Sequence, residues 1–373
     1  MDYFENVKKN FGFGCMRLPL LKNGEVDLKA FTEMVDFFLE NGFNYFDTAH
    51  GYLGGRSEIA LKACLTDRYP REKYILTNKL TDNYFEREED IRPFFEKQLK
   101  ICGVEYFDFY LMHAQNAVYF EKYKRCRAYE TAFALRDEGK IKHVGISFHD
   151  KAKVLDRILT EYPEVEAVQI QFNYVDYDDE SIESRLCYEV CRKHNKPIIV
   201  MEPVKGGTLV NLPERAKEVF SALGNGSPAS YAIRFAASFE GIFMVLSGMS
   251  DMAQMRENVG YMREFVPLGD KEHAAIGQVR SIMIGSDAIS CTACRYCVEG
   301  CPKKIAIPDL FACLNAKRRF EDWNSDWYYG VYTKNGGKAG DCIGCGKCEK
   351  VCPQRLEIRK HLKEVSEQFD KEN

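Results

Sequence analysis

Over roughly the first 265 residues, short apolar runs alternate with longer segments whose apolar positions recur at helical spacing. The apolar runs predict strands at Phe13–Arg17, Phe43–Phe46, Tyr74–Thr77, Phe107–Met112, His143–Ile146, Ala167–Gln171, Pro197–Met201 and Ile242–Leu246. Between them lie amphipathic segments with helix punctuation. Asp27 starts one, Leu28, Phe31, Val35 and Phe38 share its apolar face, and Asn41–Gly42 ends it. Further helices are predicted over Ser57–Asp67, Glu88–Cys102, Arg125–Glu138, Asp150–Tyr162, Asp179–His194, Pro228–Ser238 and Ser250–Glu264.

Eight strands alternating with helices describe a (β/α)8 TIM barrel of the α/β class better than an open doubly wound sheet. An open dinucleotide-binding sheet would place G-x-G-x-x-G after its first strand. Here Gly12-Phe-Gly14 is followed by Cys-Met-Arg. The alternation stops after Val266-Pro267-Leu268-Gly269. The expected division is a barrel over 1–269, a linker helix over 270–284, and a small cysteine-rich domain over 285–373, with the boundary at Gly285-Ser286-Asp287.

Composition narrows the class without changing it. With 45% hydrophobic and 29% charged residues, the chain reads as an ordinary globular protein. A net charge of −4 and the absence of a basic, aromatic stripe argue against nucleic acid or an anionic membrane as partner. The opening MDYFENVKKN has no apolar stretch of the secretory kind, and no run approaches the length of a membrane span. A cytoplasmic location is therefore expected.

Eight of the fifteen cysteines fall in two tight groups, Cys291–Cys301 and Cys342–Cys352, and the other seven are scattered singly, as reduced core residues are. Two segments read C-x-x-C-x-x-C-x-x-x-C-P: Cys291, Cys294, Cys297, Cys301-Pro302 and Cys342, Cys345, Cys348, Cys352-Pro353, the second 51 residues after the first. Three thiolates so closely spaced can wrap a compact cubane, while the fourth, ahead of proline, turns away. Structural zinc is the competing reading, but it needs neither the third close cysteine nor the Cys-Pro. The segment resembles a bacterial ferredoxin domain with two [4Fe–4S] clusters. That resemblance implies one cluster on Cys291, Cys294, Cys297 and Cys352, and the other on Cys342, Cys345, Cys348 and Cys301. Small residues beside the ligands (Ala293, Gly344, Gly346) let backbone N–H groups approach the sulfides. The tract between the motifs holds both tryptophans, Trp323 and Trp327, with Tyr328, Tyr329 and Tyr332.

In a barrel of this kind chemistry sits at the C-terminal ends of the strands. Asn44-Tyr-Phe-Asp47-Thr-Ala-His-Gly-Tyr52 closes the second, Ile75-Leu-Thr-Asn-Lys79 the third and Tyr110-Leu-Met-His113 the fourth. Asp, Tyr, Lys and His thus converge on one mouth. With the D-T-A-x-x-Y, the following Ser57-Glu58 and the strand-end Lys and His, the barrel resembles the aldo-keto reductase superfamily. The resemblance implies a catalytic tetrad of Tyr52, Asp47, Lys79 and His113, acting on a small-molecule carbonyl or alcohol. The chemistry agrees with it. Hydride reduction of a carbonyl leaves an alkoxide that needs a proton, and a tyrosine of pKa about 10 is a reluctant donor. Lys79 beside Tyr52 favours phenolate character, Asp47 balances the lysine, and His113 orients the carbonyl. His50 is a weaker candidate for the same mouth.

The resemblance further implies NAD(H) or NADP(H) as cofactor. Ser147 and Gln169 fall where the family grips the nicotinamide carboxamide, although Phe148 stands where asparagine is expected. Met201 or Glu202 occupies the place of the stacking aromatic. Glu257 and Asn258 match the adenine end, but the two basic positions for a 2′-phosphate fall on Gly248 and Gln254, which weakens any NADPH preference; Arg256 could compensate. The leading expectation is a nicotinamide-dependent carbonyl/alcohol oxidoreductase with a fused ferredoxin module and a possible protein electron donor or acceptor. The alternatives are a reductase fed by its clusters, with nicotinamide secondary or absent, and a non-catalytic, redox-sensing barrel.

Overall fold

The computed structural model describes residues 4–178, 182–224, 226–284, 288–320, 324–333 and 336–370. Eight parallel strands close into a barrel in chain order. They are β1 (Phe11–Gly14), β2 (Tyr45–Asp47), β3 (Ile75–Leu80), β4 (Phe107–Gln115), β5 (Ile141–Phe148), β6 (Ala167–Gln171), β7 (Ile198–Met201) and β8 (Ile242–Ser247). Helices join consecutive strands, as a parallel pair requires. The expected (β/α)8 architecture is thus the observed one.

The first strand is displaced from its expected position at Phe13–Arg17 to Phe11–Gly14. Gly12 belongs inside it because the barrel interior crowds that position. A β-carbon on Gly12 would lie 2.7 Å from Leu246 Cδ2 and 2.9 Å from Met244 Sδ. Beyond Gly14 the Cys15 N–H donates to the Asp47 carbonyl at 2.8 Å, and the chain leaves the sheet.

None of the α-helices in the cysteine-rich segment had an expectation, and within roughly the first 265 residues two had none, Ala117–Arg125 and Glu214–Ser221. Each buries only two side chains, Phe120 with Tyr123 and Ala216 with Phe220, so neither has a repeating apolar face to read. The helix expected over Arg125–Glu138 begins at Ala128, because Arg127 adopts φ 51° and breaks the continuity. The expected start of the helix at Asp179 and the boundary at Gly285-Ser286-Asp287 lie outside the described residues.

At the N-terminal end of the strands Phe4 packs against His143, Phe109 and Phe243, with ring centres 4.5, 4.8 and 4.9 Å away. Above it Tyr45, Leu111, Ile199, Met244 and Leu246 fill the interior. The opposite, C-terminal end is where polar side chains are buried.

By its contacts the chain divides into two compact units, Met1–Pro203 with Ala229–Asp270, and Val204–Pro228 with Lys271–Asn373. The second has its own core, in which Ile305, Ile307, Leu310, Phe311, Ile358 and Leu362 are buried. It is built as a repeat. Short helices Tyr296–Glu299 and Lys347–Lys350 are matched, as are longer ones beginning at Ile307 and Ile358. Positive φ recurs in step: Ala293 with Gly344, Arg295 with Gly346, and Lys304 with Arg355. Three non-glycine residues of the first motif accept that strained conformation, so the loop shape is demanded by something other than local preference. Of the aromatic tract, Tyr329 stacks on Phe369 at 4.8 Å and donates to Asp370 at 2.6 Å. Trp323 and the side chains of Trp327 and Tyr328 lie outside the described residues.

Candidate active site

The polar end of the barrel is organised around one buried cation. Lys79, on β3, places its Nζ 2.6 Å from Asp47 Oδ1, 2.7 Å from the Thr48 carbonyl and 3.4 Å from the Tyr52 hydroxyl. Asp47 is the last residue of β2, and Tyr52 opens the short 3-10 turn that follows. His113, on β4, brings its ring centre 6.1 Å from that of Tyr52. Its Nδ1 is held 2.7 Å from Thr81 Oγ1. The four residues named from the strand ends therefore meet at one place.

Electrostatics follow from enclosure. Burial lowers the Lys79 ammonium from its ordinary range, against the opposing pull of Asp47. The same burial raises the Asp47 carboxyl, with Lys79 and Gln169 opposing. Contrary to the expected phenolate character, burial pushes the Tyr52 phenol well up, helped by the charges of Asp47 and Glu202, while Arg17 acts the other way. Burial also takes His113 well below 6.5, with Lys79 and His149 adding to it. The mouth thus holds a protonated phenol and a neutral imidazole around an ion pair, an arrangement suited to giving one proton to a developing oxyanion.

Several supporting residues carried no role in the sequence reading. Thr48 accepts from Lys79 through its carbonyl, and its Oγ1 lies 2.8 Å from Ser57 Oγ. Thr81 follows Lys79 by two positions and shares its strand face, a signal that was available. His50 turns to Glu58, its Nδ1 2.5 Å from Oε2. Glu58 is sealed from solvent and also accepts from Asn78 at 2.7 Å and Gln98 at 3.3 Å. His50 is thereby committed to a buried network behind the mouth.

Of the positions matched to a cofactor, Gln169 on β6 joins the tetrad, its Nε2 3.3 Å from Asp47 Oδ2. Ser147 on β5 accepts from the Ala114 N–H at 2.8 Å, which pins the β4 irregularity beside His113 and leaves the hydroxyl proton to donate elsewhere. Phe148 is buried. Met201 ends β7 and Glu202 follows with φ 59°. Glu257 and Asn258 sit on the helix Met252–Arg263 after β8, apart from the tetrad in sequence; Asn258 donates to Ser247 Oγ at 3.3 Å and Glu257 is exposed. Arg17 flanks Gly248, with its Cβ 3.5 Å from where a Gly248 side chain would begin.

In the second unit, Cys301, Cys342, Cys345 and Cys348 line one cavity with Ile305 and Leu362. Burial pushes the Cys297 thiol up, with repulsion from Cys294, Cys291, Cys352 and, last, Cys348 adding to it. Among the described residues no three Cys, His, Asp or Glu side chains converge as a single chelated metal ion requires. All fifteen cysteines are free of disulfides. Among the described residues no helix is long and apolar enough to cross a membrane.

Comparison with known proteins places these features. The profile of the "Aldo/keto reductase family" matches residues 10–281, and that of the "4Fe-4S dicluster domain" matches residues 290–357. Among curated relatives, the NADH-specific methylglyoxal reductase of Escherichia coli is 26% identical over 50% of this chain and 60% of its own length. Human aldo-keto reductase family 1 member C3 is 28% identical over 40% of this chain and 50% of its own length. This chain thus spans about half of those relatives. Bovine dihydrodiol dehydrogenase 3 is 26% identical over 68% of this chain and 85% of its own. A Klebsiella pneumoniae aldo-keto reductase solved with NADPH shares the fold with a TM-score of 0.59 at 16% identity, covering 74% of this chain and 95% of its own.

Proposed function

Because this chain belongs to the aldo/keto reductase family, we propose that it is a nicotinamide-dependent oxidoreductase interconverting a small-molecule carbonyl and its alcohol, with a module carrying two [4Fe–4S] clusters. The observation that carries the reading is the Lys79 ammonium set between the Asp47 carboxylate at 2.6 Å and the Tyr52 hydroxyl at 3.4 Å.

When bound, nicotinamide gives or takes a hydride at the carbonyl carbon. Tyr52 hands its phenolic proton to the oxygen as charge develops there and recovers it in the oxidative direction. The raised pKa keeps that proton in place at neutral pH, and the neighbouring Lys79 stabilises the phenolate left by its transfer. Asp47 holds the lysine, and neutral His113 donates a hydrogen bond to the carbonyl oxygen. Ser147 and Gln169 offer the polar groups for the carboxamide, and Met201 the apolar surface beside it, with Glu257 and Asn258 toward the adenine. The naming of the E. coli relative for an NADH-dependent reduction, and the NADPH in the Klebsiella structure, support a nicotinamide cofactor of either kind.

For the clusters, Cys291, Cys294, Cys297 and Cys352 form one ligand set and Cys342, Cys345, Cys348 and Cys301 the other, supported by the cavity and by Cys294, Cys291 and Cys352 ranking ahead of Cys348 among the neighbours of Cys297. Clusters pass single electrons, whereas hydride carries two, so their electrons are assigned to a protein donor or acceptor. The free thiols suit a reducing cytoplasm.

The test is Tyr52→Phe, purified anaerobically and assayed with NADH and NADPH against a carbonyl panel. Turnover is expected to fall by about 10²–10⁴ or more while iron–sulfur absorbance persists. Full activity in that variant would falsify the acid/base assignment. A wild-type protein that binds neither nucleotide, yet reacts once dithionite has reduced it, overturns the nicotinamide reading.

A further inference from the structure

The segment that follows Pro203 carries an unusual lysine. Lys205 is buried, 3% exposed, and its Nζ lies 3.2 Å from Oε1 of the equally buried Gln354. Gln354 stands two residues after Cys352 in the chain. The next residue, Gly206, is pressed against the loop between Cys291 and Cys294. A β-carbon there would lie 2.3 Å from the Thr292 carbonyl oxygen and 2.6 Å from Thr292 Cα. Lys205, Gly206 and Gly207 have φ of 48°, 63° and 103°, so the backbone stays left-handed through three residues. Two of these are glycines, for which that is no hardship, but the lysine bears strain that its surroundings must impose. The fold therefore goes to some trouble to bury an amine against the two loops that carry Cys291, Cys294 and Cys352.

We propose that Lys205 is a positioning residue for the electrons of the module: its buried charge raises the reduction potential of the cluster on Cys291, Cys294, Cys297 and Cys352, and leaves the other cluster largely unaffected. The inference rests on the ligand sets given above. A cubane with four thiolates is anionic, and taking up one electron makes it more so. A cation enclosed with it in a region of low dielectric favours the more negative, reduced state. In the counterpart loop, Cys342–Cys348, the neighbouring cation is Arg359, which donates to the Gly344 carbonyl at 3.5 Å but stands half in solvent, and Cys345, Gly344 and Ile343 are themselves exposed. The repeat thus sets an enclosed cation beside one loop and a water-screened one beside the other, and Lys205 is the enclosed one.

The experiment is a dithionite titration of the full chain, followed by the paramagnetic signals of the reduced clusters, in wild type, Lys205→Met, Lys205→Gln and Lys205→Arg. In the neutral variants one of the two potentials is expected to move negative by a tenfold or larger change in the reduction equilibrium, ~59 mV for a one-electron couple. Lys205→Arg is expected to hold it near the wild-type value, which a purely packing role would not produce. Unmoved potentials, an equal shift of both, or loss of iron from both neutral variants overturns the proposal. A wild-type chain without two clusters overturns the ligand sets themselves, and that outcome is read before any variant is made.

Discussion

Thr81 Oγ1 lies 2.7 Å from His113 Nδ1, and the imidazole it holds is almost sealed from water. The partners facing His113 include the Lys79 and His149 side chains, both of which disfavour a second proton. In the unfolded chain the ring titrates near 6.5; in the fold burial carries it well below that. Above pH about 6.5 the ring is neutral in both states and adds no slope. Below it the unfolded chain binds a proton that the folded one refuses, so stability falls with pH until the folded pKa is reached, at up to about 1.4 kcal/mol per pH unit. His113→Asn is expected to show a shallower acid-side loss than wild type in urea denaturation between pH about 6.5 and 5. Superimposable slopes would mean that the ring is charged in the fold.

The Asp47–Lys79 pair is buried on both sides. Removing one partner leaves an uncompensated charge at the end of β2 or β3, a cost of about 3–5 kcal/mol. Asp47→Leu and Lys79→Met are each expected to lose that much in chemical denaturation. The double variant is expected to be more stable than either single one, because it removes both charges together. Additive losses would show that the two residues do not act as a pair. All three variants should lose turnover along with Tyr52→Phe.

What the sequence disclosed, and what it hid, follows from where the information lies. The helix Glu88–Cys102 was legible to the residue because its ends are local: Asp90 accepts from Arg87 N–H at 2.9 Å, and Gly103 closes it at φ 68°. The tetrad was legible because each member ends or follows its own strand, and barrel closure does the rest. β1 was misplaced because Gly12 and Gly14 have no side chains to reveal alternation. Arg17 beside Gly248 depends on the pairing of β1 with β8, which no local pattern shows. Lys205 was the most hidden. Val-Lys-Gly-Gly reads as an exposed turn, and its burial arises from Thr292 and Gln354, far along the chain.

The two ligand sets interleave, and that gives a sharp test. Cys301 lies in the first motif, yet lines a cavity with Cys342, Cys345 and Cys348. Cys301→Ala and Cys345→Ala are therefore expected to remove the same cluster, each halving the iron content and abolishing the same paramagnetic signal. Cys294→Ala should abolish the other. If Cys301→Ala instead matched Cys294→Ala, each motif would hold its own cluster and the cavity would need another explanation.

Nucleotide preference turns on a glycine with room beside it. A β-carbon at Gly248 would meet Arg17 Cβ at 3.5 Å and the Gly14 carbonyl at 3.7 Å, both ordinary contacts, so a side chain fits without moving the backbone. On the resemblance drawn from the sequence, Gly248 and Gln254 take the two basic positions for a 2′-phosphate, and Arg17 is a cation beside Gly248. A new ammonium at this place adds a charge-assisted hydrogen bond to the phosphate, worth about 1.5–3 kcal/mol. At 1.4 kcal/mol per decade, Gly248→Lys is expected to raise the NADPH-to-NADH ratio of kcat/KM about 10- to 100-fold. The change should appear mainly in the KM for NADPH, since the phosphate is remote from the reacting carbon and binds ground and transition states alike. A ratio that stays put, or moves toward NADH, would place the adenosine end elsewhere on the barrel and leave Arg17 without a role in gripping it.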